Sequence, residues 1–122
     1  MEEERIRFID HKGKKILLQD FSDMKDQDEL ISLIRKGAQL TRQQPPKSVL
    51  VLTDMTRTRY DSQSSQEAKE TVKGNTPFIK ASALAGITGI MEIIVRAINA
   101  FAGREVKTFH TRDEALEWLV KQ

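Results

Sequence analysis

The run KASALAGITGIMEIIVRAINAFAGR, residues 80–104, decides the fold. Its front reads as the end of a strand spanning Phe78 to Ala85. Gly86-Ile87-Thr88-Gly89 makes a turn, and Gly89 to Ala102 makes a strongly apolar helix that Gly103 ends. The run as a whole carries Thr88, Glu92, Arg96 and Asn99. Opposite charges four residues apart, Glu92 and Arg96, suit a water-facing helix stripe rather than a bilayer centre. Strand and helix are each too short to span a membrane. The opening Met1-Glu2-Glu3-Glu4 is acidic, the wrong charge for a secretory signal, and the chain has no cysteine. The expectation is a cytoplasmic protein without disulfides, thiolate metal sites or a cysteine nucleophile.

Outward from that run, the same alternation repeats. Val49-Leu50-Val51-Leu52 is a continuous apolar stretch, as a central strand covered on both faces requires. Ahead of it lies a helix ended by Pro45-Pro46, with Ser22 or Asp23 expected as its N-cap. Leu30, Ile34, Ala38 and Thr41 share one face of that helix, with Leu33 and Gly37 beside it. At the start, Ile6 and Phe8 alternate with Arg5 and Arg7. Asp10-His11-Lys12-Gly13 turns the chain, and Ile16 to Leu18 returns, giving a hairpin. After the central strand, Asp54 to Ser65 is polar and leads to a short helix near Gln66 to Val72, ended by Gly74-Asn75-Thr76-Pro77. Val106 to Phe109 is the last strand. Thr111-Arg112-Asp113-Glu114 is a capping box for a terminal helix anchored by Trp118.

The sum is an α/β fold over residues 1–122 as a single domain. A β-hairpin opens it, and alternating α/β units with about four helices build a mostly parallel central sheet. Hydrophobic residues at 39% and charged residues at 31% are those of a globular chain. The net charge of +2 is unevenly spread, with acids concentrated in residues 1–30 and bases in 31–80. That basic middle holds only Tyr60 and Phe78 as aromatics, too few for a nucleic-acid stacking surface.

In this order the chain resembles the SpoIIAA-like group of the STAS domain superfamily, the fold of bacterial anti-sigma-factor antagonists. The similarity is carried by Pro45-Pro46-Lys47-Ser48-Val49-Leu50, by residues 80–89, by Ala97-Ile98-Asn99-Ala100-Phe101-Ala102-Gly103-Arg104 and by Phe109 to Leu119. The resemblance implies a regulatory, protein-binding module whose partner is a regulatory kinase or anti-sigma-like protein. Partner-switching members are phosphorylated on a serine in an Asp-Ser-Ser-Gly-like motif at the start of the helix after the central strand. Here Asp61 and Ser62 match its first two positions, Gln63 stands at the acceptor position, and the glycine is missing. Constitutive docking rather than a switch is expected, with Ser62 and Ser64 as the remaining acceptors. The wider fold group also includes domains resembling lipid carriers.

Three places carry candidate sites. Asp54, Thr56, Arg57, Thr58, Arg59 and Tyr60 follow the carboxyl end of a central strand, where open α/β sheets place ligands. They read either as a polar, partly cationic patch or as a solvated loop in which Asp54 caps a turn. Gly86, Thr88 and Gly89 read either as an anion-holding helix start or as a tight turn with Thr88 as N-cap. It is not a phosphate-binding loop, because the glycine spacing and the lysine are absent. In the helix that follows, Ile90, Ile94, Ile98 and Phe101 are expected to face the sheet. Met91, Val95 and Ala102 would then form a second apolar face for a neighbouring helix, a homodimer partner or an apolar ligand. His11 and His110 have no ligand spacing, and no nucleophile-elbow sequence occurs. No enzyme activity, metal or cofactor is expected.

Overall fold

The computed structural model describes residues 5–89 and 91–122. The expected acidic opening, Met1 to Glu4, and Ile90 lie outside the described residues. β1 (Ile6–His11) and β2 (Lys14–Asp20) pair antiparallel with His11 opposite Lys14. The two-residue turn between them puts Lys12 at φ 51° and Gly13 at φ 83°. That primed turn matches the right-handed twist of the strands and needs left-handed backbone at both positions. β3 (Val49–Asp54) runs parallel to β2, β4 (Ile79–Ala85) parallel to β3, and β5 (Lys107–Phe109) parallel to β4. The spatial order of the sheet is the chain order, with β3 in the middle and buried along its whole length. One register shift, between Val49 and Leu50, skips Lys80 on β4.

Parallel neighbours taken in chain order put each crossover on the same side. So α1 (Gln27–Thr41), α2 (Ser62–Asn75) and α3 (Met91–Ala102) form one layer, in which α2 touches both others. α4 (Arg112–Leu119) packs alone against β3 and β4. Strand alternation sorts the core accordingly. Leu17, Val51 and Ile79 meet Leu30, Leu33 and Ile34 of α1 on the three-helix side. Ile16, Leu18, Leu50 and Leu52 meet Ala115, Leu116 and Leu119 on the α4 side. Thr111 and Glu114 form the expected capping box, and Trp118 packs tilted against Phe109 with ring centres 5.7 Å apart.

Several boundaries differ from the sequence expectation, each for a local reason. The N-cap of α1 is Asp26, not Ser22 or Asp23, and its carboxylate accepts the Glu29 amide at 3.0 Å. Ser22 is occupied by the Asp20 carboxylate, and Asp23 sits at φ 60°, which no helix start adopts. β2 runs past Leu18 to Asp20 because Gln19 and Asp20 pair with Thr53 and Asp54. α2 starts four residues earlier than its apolar residues suggested. Asp61 caps it by accepting the Ser64 amide at 2.9 Å, and the Ser64 hydroxyl accepts the Asp61 amide. A short 3-10 turn, Thr76–Phe78, joins α2 to β4.

Candidate functional site

At the carboxyl edge of the sheet, the neighbouring strands β2 and β3 end in the paired residues Asp20 and Asp54. Each carboxylate is closed by a hydroxyl residue two positions later. The Ser22 hydroxyl donates to Asp20 Oδ1 at 2.5 Å, and the Thr56 hydroxyl donates to Asp54 Oδ1 at 2.6 Å. Arg112, at the start of α4, donates Nε and Nη2 to Asp54 Oδ2 at 3.1 and 2.8 Å, and its Nη2 lies 3.4 Å from Asp20. Burial alone would raise the Asp54 pKa. The Thr56 and Arg112 hydrogen bonds outweigh it and hold the carboxyl below its ordinary value. Arg112 therefore clasps the ends of both strands to the α4 N-terminus, and both Asp54 oxygens are engaged.

The loop beyond it divides by side chain. Arg57 and Arg59 are exposed. Arg57 grips the Asp23 carboxylate through two hydrogen bonds at 2.6 and 3.1 Å. Thr58 is half-buried and donates its hydroxyl to the Phe21 carbonyl at 2.7 Å. Gln27, in the first turn of α1, holds the Arg59 carbonyl at 2.8 Å. Tyr60 does not join this surface, as its place in the polar patch implied. Its ring packs against the apolar cores beneath α1 and α3, and burial pushes its hydroxyl pKa up. An aromatic ring in a polar stretch is the residue that staples the loop to the core.

The two expected acceptor serines are placed differently. Ser62 is exposed in the first turn of α2, and Gln63 beside it is exposed too. Ser64 is fully buried, and its hydroxyl donates to Gln27 Oε1 at 2.5 Å. Ser62 is thus the hydroxyl this helix end presents to solvent.

The turn after β4 comes directly against this loop. Gly86, at φ 80°, lies so close to Thr56 that a Cβ there would stand 2.8 Å from the Thr56 backbone. Only glycine fits, so the close-packing reading of this turn has a concrete partner. Thr88 and Gly89 are exposed, and the Thr88 carbonyl accepts the Met91 amide at 3.1 Å. α3 is rotated relative to the sequence expectation. Val95 is its buried residue, packed with Met55 and Ile87 and flanked by Met91. Ile94 and Ile98 are half-buried, and Phe101 is 39% exposed. The supposed second face of Met91 and Val95 is the inner one, because the β3–α2 loop supplies Met55 and Tyr60 as its cover. Phe101 is held instead by two ammonium groups of α2, Lys69 and Lys73, at 4.7 and 4.6 Å from its ring centre. Among the described residues, the more exposed of the two large apolar side chains on the outside is Ile93, at 63%.

The geometry thus brings the two expected site segments together. Met55, Ile87 and Val95 fuse the β3–α2 loop, the β4–α3 turn and α3 into one unit. That unit exposes Arg57, Arg59, Asp61, Ser62, Thr88 and Ile93.

Beneath it, between the sheet and helices α2 and α3, lies a cavity of about 90 Å³, under the helix where an apolar ligand was one expectation. Apolar side chains from α2 and α3 roof it, Ala68, Val72, Ile94 and Ile98 among them. Its floor carries Gln19, Thr53 and Ser82, polar residues at inward strand positions, with Arg104 at one wall. The available signal was those polar residues inside otherwise apolar strands, where a core contact would call for an aliphatic. Among the described residues no group of His, Asp or Glu is arranged to hold a metal, and no helix is long and apolar enough to cross a membrane.

No family model matches this chain, and neither does any curated protein. A solved structure does: an uncharacterized protein of the DUF3478 family with a SpoIIAA-like fold from Shewanella loihica PV-4. The superposition has a TM-score of 0.67 at 18% sequence identity and covers 93% of this chain and 91% of that one. At that identity the likeness speaks for architecture alone. The opening hairpin, the parallel run of strands and the helix layers are those of that architecture: the chain has a SpoIIAA-like fold.

Proposed function

We propose that the chain is a non-enzymatic, cytoplasmic regulatory domain that docks a partner protein, of the kind a regulatory kinase or anti-sigma-like protein represents. The observation that carries this reading is the fused surface described above. A rigid, core-stapled platform exposes two arginines beside Asp61 and Ser62, with Ile93 as an uncovered apolar anchor. Exposed apolar side chains and exposed charges are the parts from which docking surfaces are built. The missing acceptor serine at Gln63 favours docking without a switch, and Ser62 is the hydroxyl that a kinase would meet. A phosphate there would lie at the positive end of α2.

The test is a comparative pull-down from native lysate with wild type, Arg59→Glu/Ile93→Asp, and a control changed on the hairpin, Lys15→Glu. A protein retained by wild type and control and lost by the double variant supports the surface. Identical protein profiles for all three sink it. Intact-mass measurement on endogenous protein checks Ser62 separately, since an unmodified mass under varied growth conditions excludes switching.

A second reading, carrier or sensor of a small apolar ligand, is favoured by the cavity. Its volume limits what that ligand is. About 90 Å³ is well below the ~300 Å³ at which drug-sized pockets begin. A long acyl chain would require α3 to move away from the sheet.

A further inference from the structure

Arg104 is the least explained residue of the three-helix face. Its guanidinium leaves the end of α3 and turns inward. Nε donates to Thr76 Oγ1 at 3.0 Å, Nη1 to Ser82 Oγ at 2.8 Å, and Nη2 to the Val72 carbonyl at 3.2 Å. All three acceptors are neutral. No carboxylate among the described residues lies within ion-pair distance of it, whereas the other partly buried arginines, Arg5 and Arg112, both have Asp20 or Asp54 nearby. Burial lowers the Arg104 pKa, yet a guanidinium stays protonated at any physiological pH. A half-buried cation held by neutral acceptors is costly to keep and calls for an anion. Of its five N–H donors three are engaged, and two remain for that anion.

The surroundings describe the rest of the ligand. Arg104 lines the cavity whose other wall is aliphatic, built from Val72, Ile94, Val95, Ile98 and Val106. Lys69 and Lys73 stand at the adjoining α2–α3 seam over Phe101 and add positive potential without occupying the cavity. At about 90 Å³ the cavity suits a small ligand only. We propose that this cavity is a binding site for a small branched or short-chain aliphatic carboxylate, its carboxylate on Arg104 and its alkyl group under α3. The proposal rests on the small-ligand reading above and adds the chemical class.

The matched probes are isobutyrate and isobutyramide, alike in shape and different in charge, followed by amide chemical shifts of the full chain. Isobutyrate shifts the amides of β4, α2 and α3 and binds at least ten-fold more tightly than isobutyramide. Ala68→Leu, which fills the cavity and leaves Arg104 in place, abolishes both. Arg104→Gln removes the preference for the acid, and Arg104→Lys restores part of it. Equal binding of acid and amide to wild type overturns the carboxylate assignment while leaving the ligand cavity standing. No shift with either probe at about 10 mM overturns both. The wild-type comparison decides the matter even where an Arg104 variant does not fold.

Discussion

The two faces of the sheet are covered in opposite ways. One helix, α4, closes the first, and three helices close the second, yet the cavity lies on the three-helix side. The reason is the residues on β4. Ala81, Ala83 and Ala85 point toward α4 and let Leu116 and Leu119 come down onto the strands. Ser82 and Leu84 point the other way, where Gln19, Thr53 and Arg104 interrupt the apolar packing. Small residues allow one helix to seal a sheet. On the other face, where the crossovers place three helices, polar side chains interrupt the apolar packing and leave the cavity. The sealed face holds the fold together, and the arched face is where a ligand or a partner can act.

The largest test of that contrast is Leu119→Ala. This fully buried side chain on the sealed face should cost about 3–4 kcal/mol in urea denaturation. Val95→Ala on the arched face should cost only about 1–2 kcal/mol, because its neighbours already border empty volume. Equal losses would erase the distinction. Next comes a matched pair of enlargements. Ala83→Leu, on the sealed side, should cost about 2–3 kcal/mol by overpacking. Ala68→Leu, beside the cavity, should be neutral or stabilising by about 0.5 kcal/mol.

The clasp at the sheet edge sharpens the comparison through pH. Because the folded Asp54 pKa lies below 3.8, its contribution is complete above that value and is lost as pH falls through the folded one. Asp54→Asn should therefore cost about 2 kcal/mol at neutral pH. The gap between wild type and variant should close as pH falls below 3.8 and through the folded pKa. A gap that persists at low pH would mean the carboxylate charge is irrelevant. The smallest effect is Phe101→Ala, about 0.5–1 kcal/mol, because its cations and its ring are partly solvated. That loss should shrink in Lys69→Gln/Lys73→Gln.

Much of the architecture was legible from local pattern. Val49 to Leu52 announced a strand covered on both faces, and the capping box at Thr111 announced α4. The turn at Lys12-Gly13 announced the hairpin. These are short-range constraints, fixed by backbone sterics and side-chain period, so neighbouring residues suffice to read them. The start of α2 was not legible, because its first two turns carry almost no apolar residue and are held by Asp61, Ser64 and Gln27 of another helix. Nor was the rotation of α3. Its residues are apolar in more directions than one, so periodicity set Ile94, Ile98 and Phe101 toward the sheet and left Met91 and Val95 without an identified cover. Met55 and Tyr60, far away in sequence, settle which face is covered.

The candidate site divides in the same way. Sequence determined that Arg57, Arg59 and Thr88 stand in loops after parallel strands, since strand ends and glycines mark those positions. Only the tertiary structure decided that Gly86 and Thr56 weld these loops together, that Tyr60 and Ser64 turn inward, and that Arg104 reaches Ser82 beside a cavity. Those facts depend on through-space contact between segments distant in sequence, and local pattern along the chain does not show which of them will touch.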